Sequence, residues 1–139
     1  MRIIRLYALV ALLLPCLNSV SAKQYQVESP SGKITANIDC DDEMTYSVSY
    51  DGKEILSESP ISISLSDGTV WGKNAKVSKA MRESVENIVE SPFGQSSHIS
   101  DNYNGLTLRM KGGWSIEFRA YNDGVAYRFA STLKKPYEI

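Results

Sequence analysis

Residues 114–129 read WSIEFRAYNDGVAYRF, and this stretch carries the clearest structural signal in the chain. From Trp114 onward, apolar side chains alternate with polar ones, which is the period of a strand with one buried face. Asn-Asp-Gly at residues 122–124 then interrupts the alternation, and because these residue types tolerate a left-handed backbone we expect a tight reversal there. Residues 125–129 alternate again, so the stretch predicts a β-hairpin. Arg128 stands between two aromatic residues, where its guanidinium can reach a carboxylate or a carbonyl.

Short alternating segments separated by turn residues continue through the rest of the chain and predict an all-β protein. Residues 75–90 fit helical or strand spacing, and we favour a strand because residues 87–90 are rich in β-branched side chains and the neighbouring segments are all β. We expect turns at residues 30–32, 66–68 and 91–94, at Asp51-Gly52 and at Asn104-Gly105, and a loop over residues 57–60. The remaining strands are predicted at residues 24–28, 33–41, 44–50, 53–56, 61–65, 69–71 and 106–110.

The first 22 residues have the pattern of a removable export signal. Arg2 and Arg5 precede an apolar run at residues 6–14 that is too short to span a bilayer, and the small residues 20–22 form a cleavage site. Cys16 raises the alternative of a lipid anchor, although a proline directly before it disfavours that site. We therefore expect an exported protein, periplasmic or secreted, with residues 23–139 as the mature part and no membrane segment after cleavage.

Composition argues against a nucleic-acid partner. Loss of the two signal arginines leaves 13 basic residues against 16 acidic ones, a net charge of about −3. Binding to nucleic acid requires a basic surface, which this balance does not supply.

Nucleophilic catalysis is poorly supported by the residues. The mature part keeps one cysteine, Cys40, which lies in an alternating strand pattern, and the chain has one histidine, His98. A catalytic serine or cysteine needs a histidine as its base, and no Gly-x-Ser-x-Gly segment is present. We predict that Cys40 is a buried structural thiol.

The acidic residues allow metal binding or glycoside hydrolysis in principle, but their pattern favours ordinary surface roles. Adjacent acids at residues 41–43 are able to bind calcium, but such a run is usually a solvated turn. Hydrolysis of a glycoside needs two carboxylates facing each other across a sugar, and the chain offers Glu117, Asp101 and Asp123. Glu117 lies on the polar face of its strand, which favours a solvated or salt-bridged role. We assign no catalytic, cofactor-binding or metal-binding residue to this chain.

Aromatic residues give a second route to sugar binding. Trp71 and Trp114 are candidates for stacking on sugar rings. Strand aromatics are more often part of the core, and we predict a core position for Trp114.

Two linked segments resemble the N-terminal domain of glycoside hydrolase family 97. They are GQSSHISDNYNGLTLRM at residues 94–110 and IEFRAYNDGVAYRF at residues 116–129, and SPSGKI and YSVSYDGKEIL nearer the N-terminus are also similar to that family. The resemblance covers nearly all of the mature chain. One departure is Gly105, where the family often carries a glutamate.

This resemblance implies the fold and the activity of a larger enzyme. Family members are exported bacterial α-glucosidases and α-galactosidases, with an N-terminal antiparallel β-supersandwich that resembles mutarotase. That domain packs on a catalytic (β/α)8 barrel, which carries the catalytic carboxylates, and calcium helps to hold the substrate. By this resemblance the chain stops before the barrel, so it is non-catalytic alone and its sandwich is incomplete.

The resemblance leads to a stability expectation and to three functional hypotheses. An incomplete sandwich lacks core side chains worth roughly 1.5 to 3 kcal/mol each, so we expect marginal stability for the isolated chain. The first hypothesis is a non-catalytic domain that shapes the sugar site of an α-glycosidase acting on α-glucosides or α-galactosides. The alternatives are a self-standing exported carbohydrate-binding β-sandwich and a purely structural or adhesive β-domain.

Overall fold

The computed structural model describes residues 23–90 and 98–132, in which the regular structure is all β-strand. The first sheet is antiparallel in the order β1-β2-β3-β4, with β1 Gln24–Glu28, β2 Ile34–Cys40, β3 Met44–Tyr50 and β4 Lys53–Pro60. A short pair follows, β5 Ile63–Ser64 and β6 Val70–Trp71. The second antiparallel sheet has the order β10-β9-β8-β7, with β7 Val77–Glu90, β8 His98–Met110, β9 Trp114–Tyr121 and β10 Val125–Ser131. The all-β prediction is confirmed.

The two four-stranded sheets face each other across one apolar core. Strand alternation sends every second side chain of β2, β8 and β9 inward, as the sequence pattern predicts. The largest side chains with less than 2% exposure are Phe118, Ile38, Met44, Ile61, Leu106, Leu108 and Ile116.

The sheets are displaced sideways by one strand. β1 contacts β8 and β9, β2 contacts β9, and the ring of Tyr46 on β3 lies 5.4 Å from that of Tyr127 on β10. With that alignment β4 extends past the second sheet on one side, and β7 extends past the first sheet on the other. Both strands are mostly exposed along their described length. The sandwich therefore has one overhanging strand on each side, β4 on one and β7 on the other.

Side chains of the second sheet bind the outer edge of β1. Arg82 Nη1 donates to the carbonyl of Gln26 at 2.6 Å, and Asn104 Nδ2 donates to the carbonyl of Glu28 at 2.9 Å. An uncovered strand edge is a template for pairing with another chain. At the edge of β1 these two carbonyls are instead occupied by side-chain hydrogen bonds, and the bonds join the two sheets.

Two local predictions are wrong, and a third is confirmed as a chain reversal but not in its backbone conformation. Residues 57–60 are not a loop, because β4 continues to Pro60 through register shifts opposite β3. Asn104-Gly105 is not a turn, because β8 runs unbroken and pairs these residues with Ser84 and Glu83. The chain does reverse at residues 122–124, but none of those residues has a positive φ, so the expected left-handed backbone is absent there.

The Asp51-Gly52 turn behaves as predicted. Asp51 has φ 46° and Gly52 has φ 76°, the left-handed pair that a tight two-residue hairpin requires. The strand prediction for residues 75–90 is also confirmed, since β7 occupies most of it. The proposed export signal at residues 1–22 and the turn at residues 91–94 lie outside the described residues. Among the described residues no helix is long and apolar enough to cross a membrane.

Candidate functional site

The outer face of the second sheet carries a cluster of charged and aromatic side chains, which we call the outer cluster. Its members alternate with the core residues of β7, β8, β9 and β10, so they point away from the first sheet. The cluster consists of Glu83, Tyr103, Glu117, Arg119, Tyr121 and Arg128.

Tyr103 is the centre of the outer cluster. It is only 5% exposed although it lies on the side of the sheet that faces away from the core. The guanidinium carbon of Arg119 lies 4.4 Å from the centre of its ring, and the ring of Tyr121 lies at 5.3 Å. Its hydroxyl donates to Glu83 Oε1 at 3.3 Å. Burial raises the pKa of Tyr103, while the nearby positive charge of Arg119 opposes that rise.

Arg119 is held in place by its neighbours. Its hydrogen bond with Tyr121 raises the pKa of the guanidinium above its ordinary value. Stacking of a guanidinium on an aromatic ring adds to this positioning. The outer cluster is therefore a preorganised surface in which Tyr103 and Tyr121 hold the guanidinium of Arg119 in position.

Glu83 and Gly105 face each other across the strands of this cluster. A Cβ atom at position 105 would lie 2.7 Å from Glu83 Cγ and 2.9 Å from Glu83 Oε1. The side chain of Glu83 thus occupies the space that a side chain at position 105 would need. This explains in physical terms why glycine fits here, and it places a carboxylate over position 105 from the neighbouring strand.

Glu117 takes the salt-bridged role that its position predicts. Arg128 Nε donates to Glu117 Oε2 at 2.7 Å, and Arg128 Nη2 lies 2.6 Å from the same oxygen. Arg128 therefore reaches a carboxylate, as expected from its place between two aromatics. Since the side chain of Arg128 is 66% exposed, the pair contributes at most about 1 kcal/mol to stability.

The structure does not bring Glu117 and Asp101 together. Glu117 pairs with Thr107, which lies six residues along β8 from Asp101, so the backbone positions of the two acids are about 20 Å apart at the rise of an antiparallel strand. Glycosidases place their two carboxyl groups about 5 to 9.5 Å apart. Asp123 is exposed in the turn between β9 and β10.

Cys40 is buried, with 8% exposure, as predicted for a structural thiol. Burial, followed by the nearby charge of Asp39, raises the pKa of the thiol to about 11. Because the thiolate is the reactive form, this thiol is a poor nucleophile at neutral pH.

The acids at residues 41–43 lie in the turn between β2 and β3 and do not converge. The backbone carbonyl of Asp42 accepts a hydrogen bond from the N–H of Asn74. The backbone of Glu43 pairs with that of Lys73 in an isolated antiparallel β-bridge. Within residues 23–90 and 98–132 no group of three His, Cys, Asp or Glu side chains is placed to hold a metal ion. The side chain of His98 lies outside the described residues.

The two tryptophans belong to the core. Trp71 and Trp114 are 6% and 5% exposed, and their rings stack with centres 5.4 Å apart. The predicted core position of Trp114 is confirmed, and neither ring offers a face to a sugar.

Several surface cavities are places where a ligand or partner can bind, and one of about 180 Å³ lies at Glu117, Arg119 and Arg128 of the outer cluster. A cleft of about 510 Å³ lies between the outer edge of β1 and strands β7 and β8, and Arg82, Ser84 and Asn104 line it. A polar groove of about 360 Å³ lies on the outer face of the first sheet. Asp39 lines this groove, and its Oδ1 atom is shielded from solvent and has no hydrogen-bond partner among the residues that the structure describes.

Sequence reasoning missed several of these residues. Arg82, Glu83 and Asn104 looked like ordinary polar strand residues or turn residues, and their roles appear only when the register of β7 against β8 is known. The available signal was the length of the predicted strand at residues 75–90, because a strand of that length needs an equally long partner strand beside it.

Comparisons with known proteins agree with the fold. The chain is 48% identical over 125 residues to a retaining alpha-galactosidase from Bacteroides thetaiotaomicron, which covers 89% of this chain and 19% of that protein. A glycoside hydrolase family 97 enzyme from Pseudoalteromonas sp. strain K8, solved in complex with panose, superposes with a TM-score of 0.68 at 24% identity. That alignment covers 77% of this chain and 17% of the other. A crystal structure of a beta-arabinopyranosidase gives a TM-score of 0.68 at 24% identity over 76% of this chain and 18% of the other.

The solved structures at this identity support the fold alone, and the chain spans about a fifth of the curated relative it matches. The family comparison reaches further, because the model for glycosyl-hydrolase 97 N-terminal domains matches residues 27–139. The chain therefore belongs to the glycosyl-hydrolase 97 N-terminal domain family.

Proposed function

We propose that this chain acts as the non-catalytic N-terminal domain of an exported α-glycosidase and helps to shape the sugar site of a (β/α)8 catalytic barrel. The observation that carries the proposal is the 48% identity to 125 residues of a retaining alpha-galactosidase. An α-galactoside is accordingly the substrate class that we assign to the complete enzyme, ahead of an α-glucoside.

The geometry of the described residues supports a scaffolding role. Among them, Glu117 is paired with Arg128 and lies about 20 Å along the sheet from Asp101, so these two do not form a glycosidase pair. The exposed strands β4 and β7 offer surfaces for packing on another domain. The domain thus contributes contact area and rigidity, and the reacting carboxylates belong to the barrel.

Two further parts of the proposal concern calcium and location. Calcium binding by the complete enzyme rests on the family resemblance. Export to the periplasm or medium rests on the sequence pattern of residues 1–22.

An exchange chimera tests the proposal. The segment of the Bacteroides relative that matches this chain is replaced by this chain's own residues, and hydrolysis of a nitrophenyl α-galactoside is measured. We expect the chimera to keep at least about a tenth of the parent rate, equivalent to a loss of no more than about 1.4 kcal/mol. A parent enzyme that lacks the segment is the control, and a chimera no more active than this control would exclude the proposed role.

A second candidate, sugar binding by the chain alone, is favoured by the polar groove on the first sheet. Asp39, Glu54 and Glu58 line this groove, and carboxylate oxygens accept hydrogen bonds from hydroxyl groups such as those of a sugar. Calorimetric titration of the chain with galactose and maltose tests this candidate. Absence of heat at millimolar sugar would remove it.

A further inference from the structure

The hairpin of β7 and β8 extends well beyond the rest of its sheet. The last residue pair shared with β9 is Tyr103 with Tyr121, whereas β7 and β8 continue to pair as far as Glu90 with His98. Residues 86–90 and 98–102 therefore form a two-stranded extension, which we call the ribbon. Its five residue pairs span about 17 Å at the rise of an antiparallel strand.

A ribbon of this kind is not expected to be stable by itself. Two strands without a third strand or a covering layer are marginally stable in water. β7 has 14 residues, against a usual range of about 3 to 10. An extension of this length calls for a surface against which it packs.

Ile88 gives the ribbon an apolar contact point. It is 70% exposed, the highest value among the large hydrophobic side chains that stand out from the described surface, which include Ile55 at 63%. Strand alternation places Ile88 on the same side as Arg82, the side that faces the first sheet. Because β7 overhangs the first sheet, nothing in the described part of the chain covers Ile88 there.

The charge of the ribbon indicates what kind of surface it fits. Its ten residues contain no lysine or arginine. Glu86 shares the face of Ile88, whereas Asp101 pairs with Asn87 and lies on the opposite face near Arg119. A second copy of the same ribbon would bring like charges together, which opposes association. A surface with an apolar recess and a lysine or arginine at its rim would complement both Ile88 and Glu86.

The cleft of about 510 Å³ lies at the base of the ribbon on this same side. Ser84 and Asn104 line it, and each lies two residues from the ribbon, before it in β7 and after it in β8. The cleft and the ribbon therefore form one continuous surface between the edge of β1 and the exposed part of the hairpin.

We propose that the ribbon, with Ile88 at its centre, docks on a basic-rimmed apolar surface of the catalytic part of the complete enzyme and so fixes the orientation of this domain. This inference rests on the proposed function, because the partner surface belongs to the barrel that the function assigns. Ile88 and Glu86 are positioning residues that touch the partner domain and not the sugar.

Amide hydrogen exchange tests the proposal directly, since exchange reports how often each strand opens. Rates for residues 86–90 and 98–102 are compared between the isolated full chain and the exchange chimera. We expect these amides to exchange at least about tenfold more slowly in the chimera, which corresponds to about 1.4 kcal/mol of added local stability.

Matched variants separate docking from general stabilisation. Ile88→Ser and Glu86→Lys in the chimera should return ribbon exchange to the rate of the isolated chain. Ile55→Ser and Glu58→Lys change an exposed isoleucine and an acid on the first sheet, and these controls should leave ribbon exchange slow. If the isolated chain is unfolded, the comparison among the chimera variants decides alone.

The outcomes distinguish the two proposals. An inactive chimera would overturn the proposed function and the ribbon docking with it. An active chimera whose ribbon amides exchange as fast as in the isolated chain would overturn only the ribbon docking. A ribbon that is already protected in an isolated chain sedimenting as a dimer would also overturn it, in favour of self-association.

Discussion

The side-chain oxygen Oδ1 of Asn122 accepts a hydrogen bond at 2.8 Å from the backbone N–H of Ser31, which is 91 positions away in sequence. Ser31 lies in the turn between β1 and β2, and Asn122 lies in the turn between β9 and β10. This bond therefore fastens the end of one sheet to the end of the other. It also gives Asn122 a tertiary role beyond its ordinary use in a turn.

Removal of this bond should weaken the sandwich modestly. We expect Asn122→Ala to lower the free energy of unfolding by about 0.5 to 1.5 kcal/mol, the usual net value of one hydrogen bond, as measured by urea denaturation. Asn122→Asp keeps an acceptor oxygen and is the matched control. Equal losses in both variants would show that the acceptor is not what matters.

Because of the contact between Glu83 and Gly105, the effect of Gly105→Ala on the free energy of unfolding should change sign when the Glu83 side chain is removed. Gly105→Ala should destabilise the chain by about 1 kcal/mol, because its Cβ would meet Glu83 Cγ at 2.7 Å and displace the hydrogen bond to Tyr103. In a Glu83→Ala background the same change should stabilise the chain by about 0.5 to 1 kcal/mol, since alanine is better than glycine within a regular strand. A double-mutant cycle measures the coupling, and additive effects would contradict the proposed contact.

Loss of the side chains that cover β1 should promote association. Arg82→Ala together with Asn104→Ala leaves the carbonyls of Gln26 and Glu28 without their side-chain donors. A strand edge without such cover pairs readily with another chain, so we expect concentration-dependent dimers in analytical ultracentrifugation. Lys79→Ala, also on β7, is the control and should remain as monomeric as the parent chain.

The raised pKa of Cys40 gives a stability profile at alkaline pH. The thiol keeps its proton to about pH 11 in the folded state but loses it near pH 9 when unfolded. The unfolded state therefore binds fewer protons between these values, and stability that is fully present below pH 9 is lost as the pH rises towards 11. Urea midpoints over this range should fall more steeply for the parent chain than for Cys40→Ala, and parallel profiles would refute the assignment.

The sequence predicted the strands better than it predicted their lengths. Alternation at Ile34, Ile38, Leu106, Leu108 and Ile116 identified inward positions, because burial of one face imposes a period of two. It failed at residues 57–60 and at Asn104-Gly105, since serine, asparagine and glycine look like turn residues until a partner strand holds them in register. Tertiary pairing overrode local preference at both places.

The outer cluster was less accessible to sequence reasoning. Glu117 with Arg128 was within reach, because a hairpin places nearby strand positions side by side. Tyr103 with Glu83 and Arg119 was not, since three strands must be aligned before those side chains meet. The family resemblance supplied the fold class and the domain's place in an enzyme, and it could not supply these contacts.

The sideways displacement of the two sheets makes the sandwich resemble a lap joint. Six strands lie where the two sheets overlap. β4 protrudes from the first sheet on one side, and β7 protrudes from the second sheet on the other. A neighbouring domain that contacts both β4 and the ribbon would resist sliding and rotation at once, with β4 adding to the orientation that the ribbon fixes. Truncation of the ribbon should therefore cost a complete enzyme more in alignment than in folding, because the ribbon lies outside the apolar core that the two sheets share.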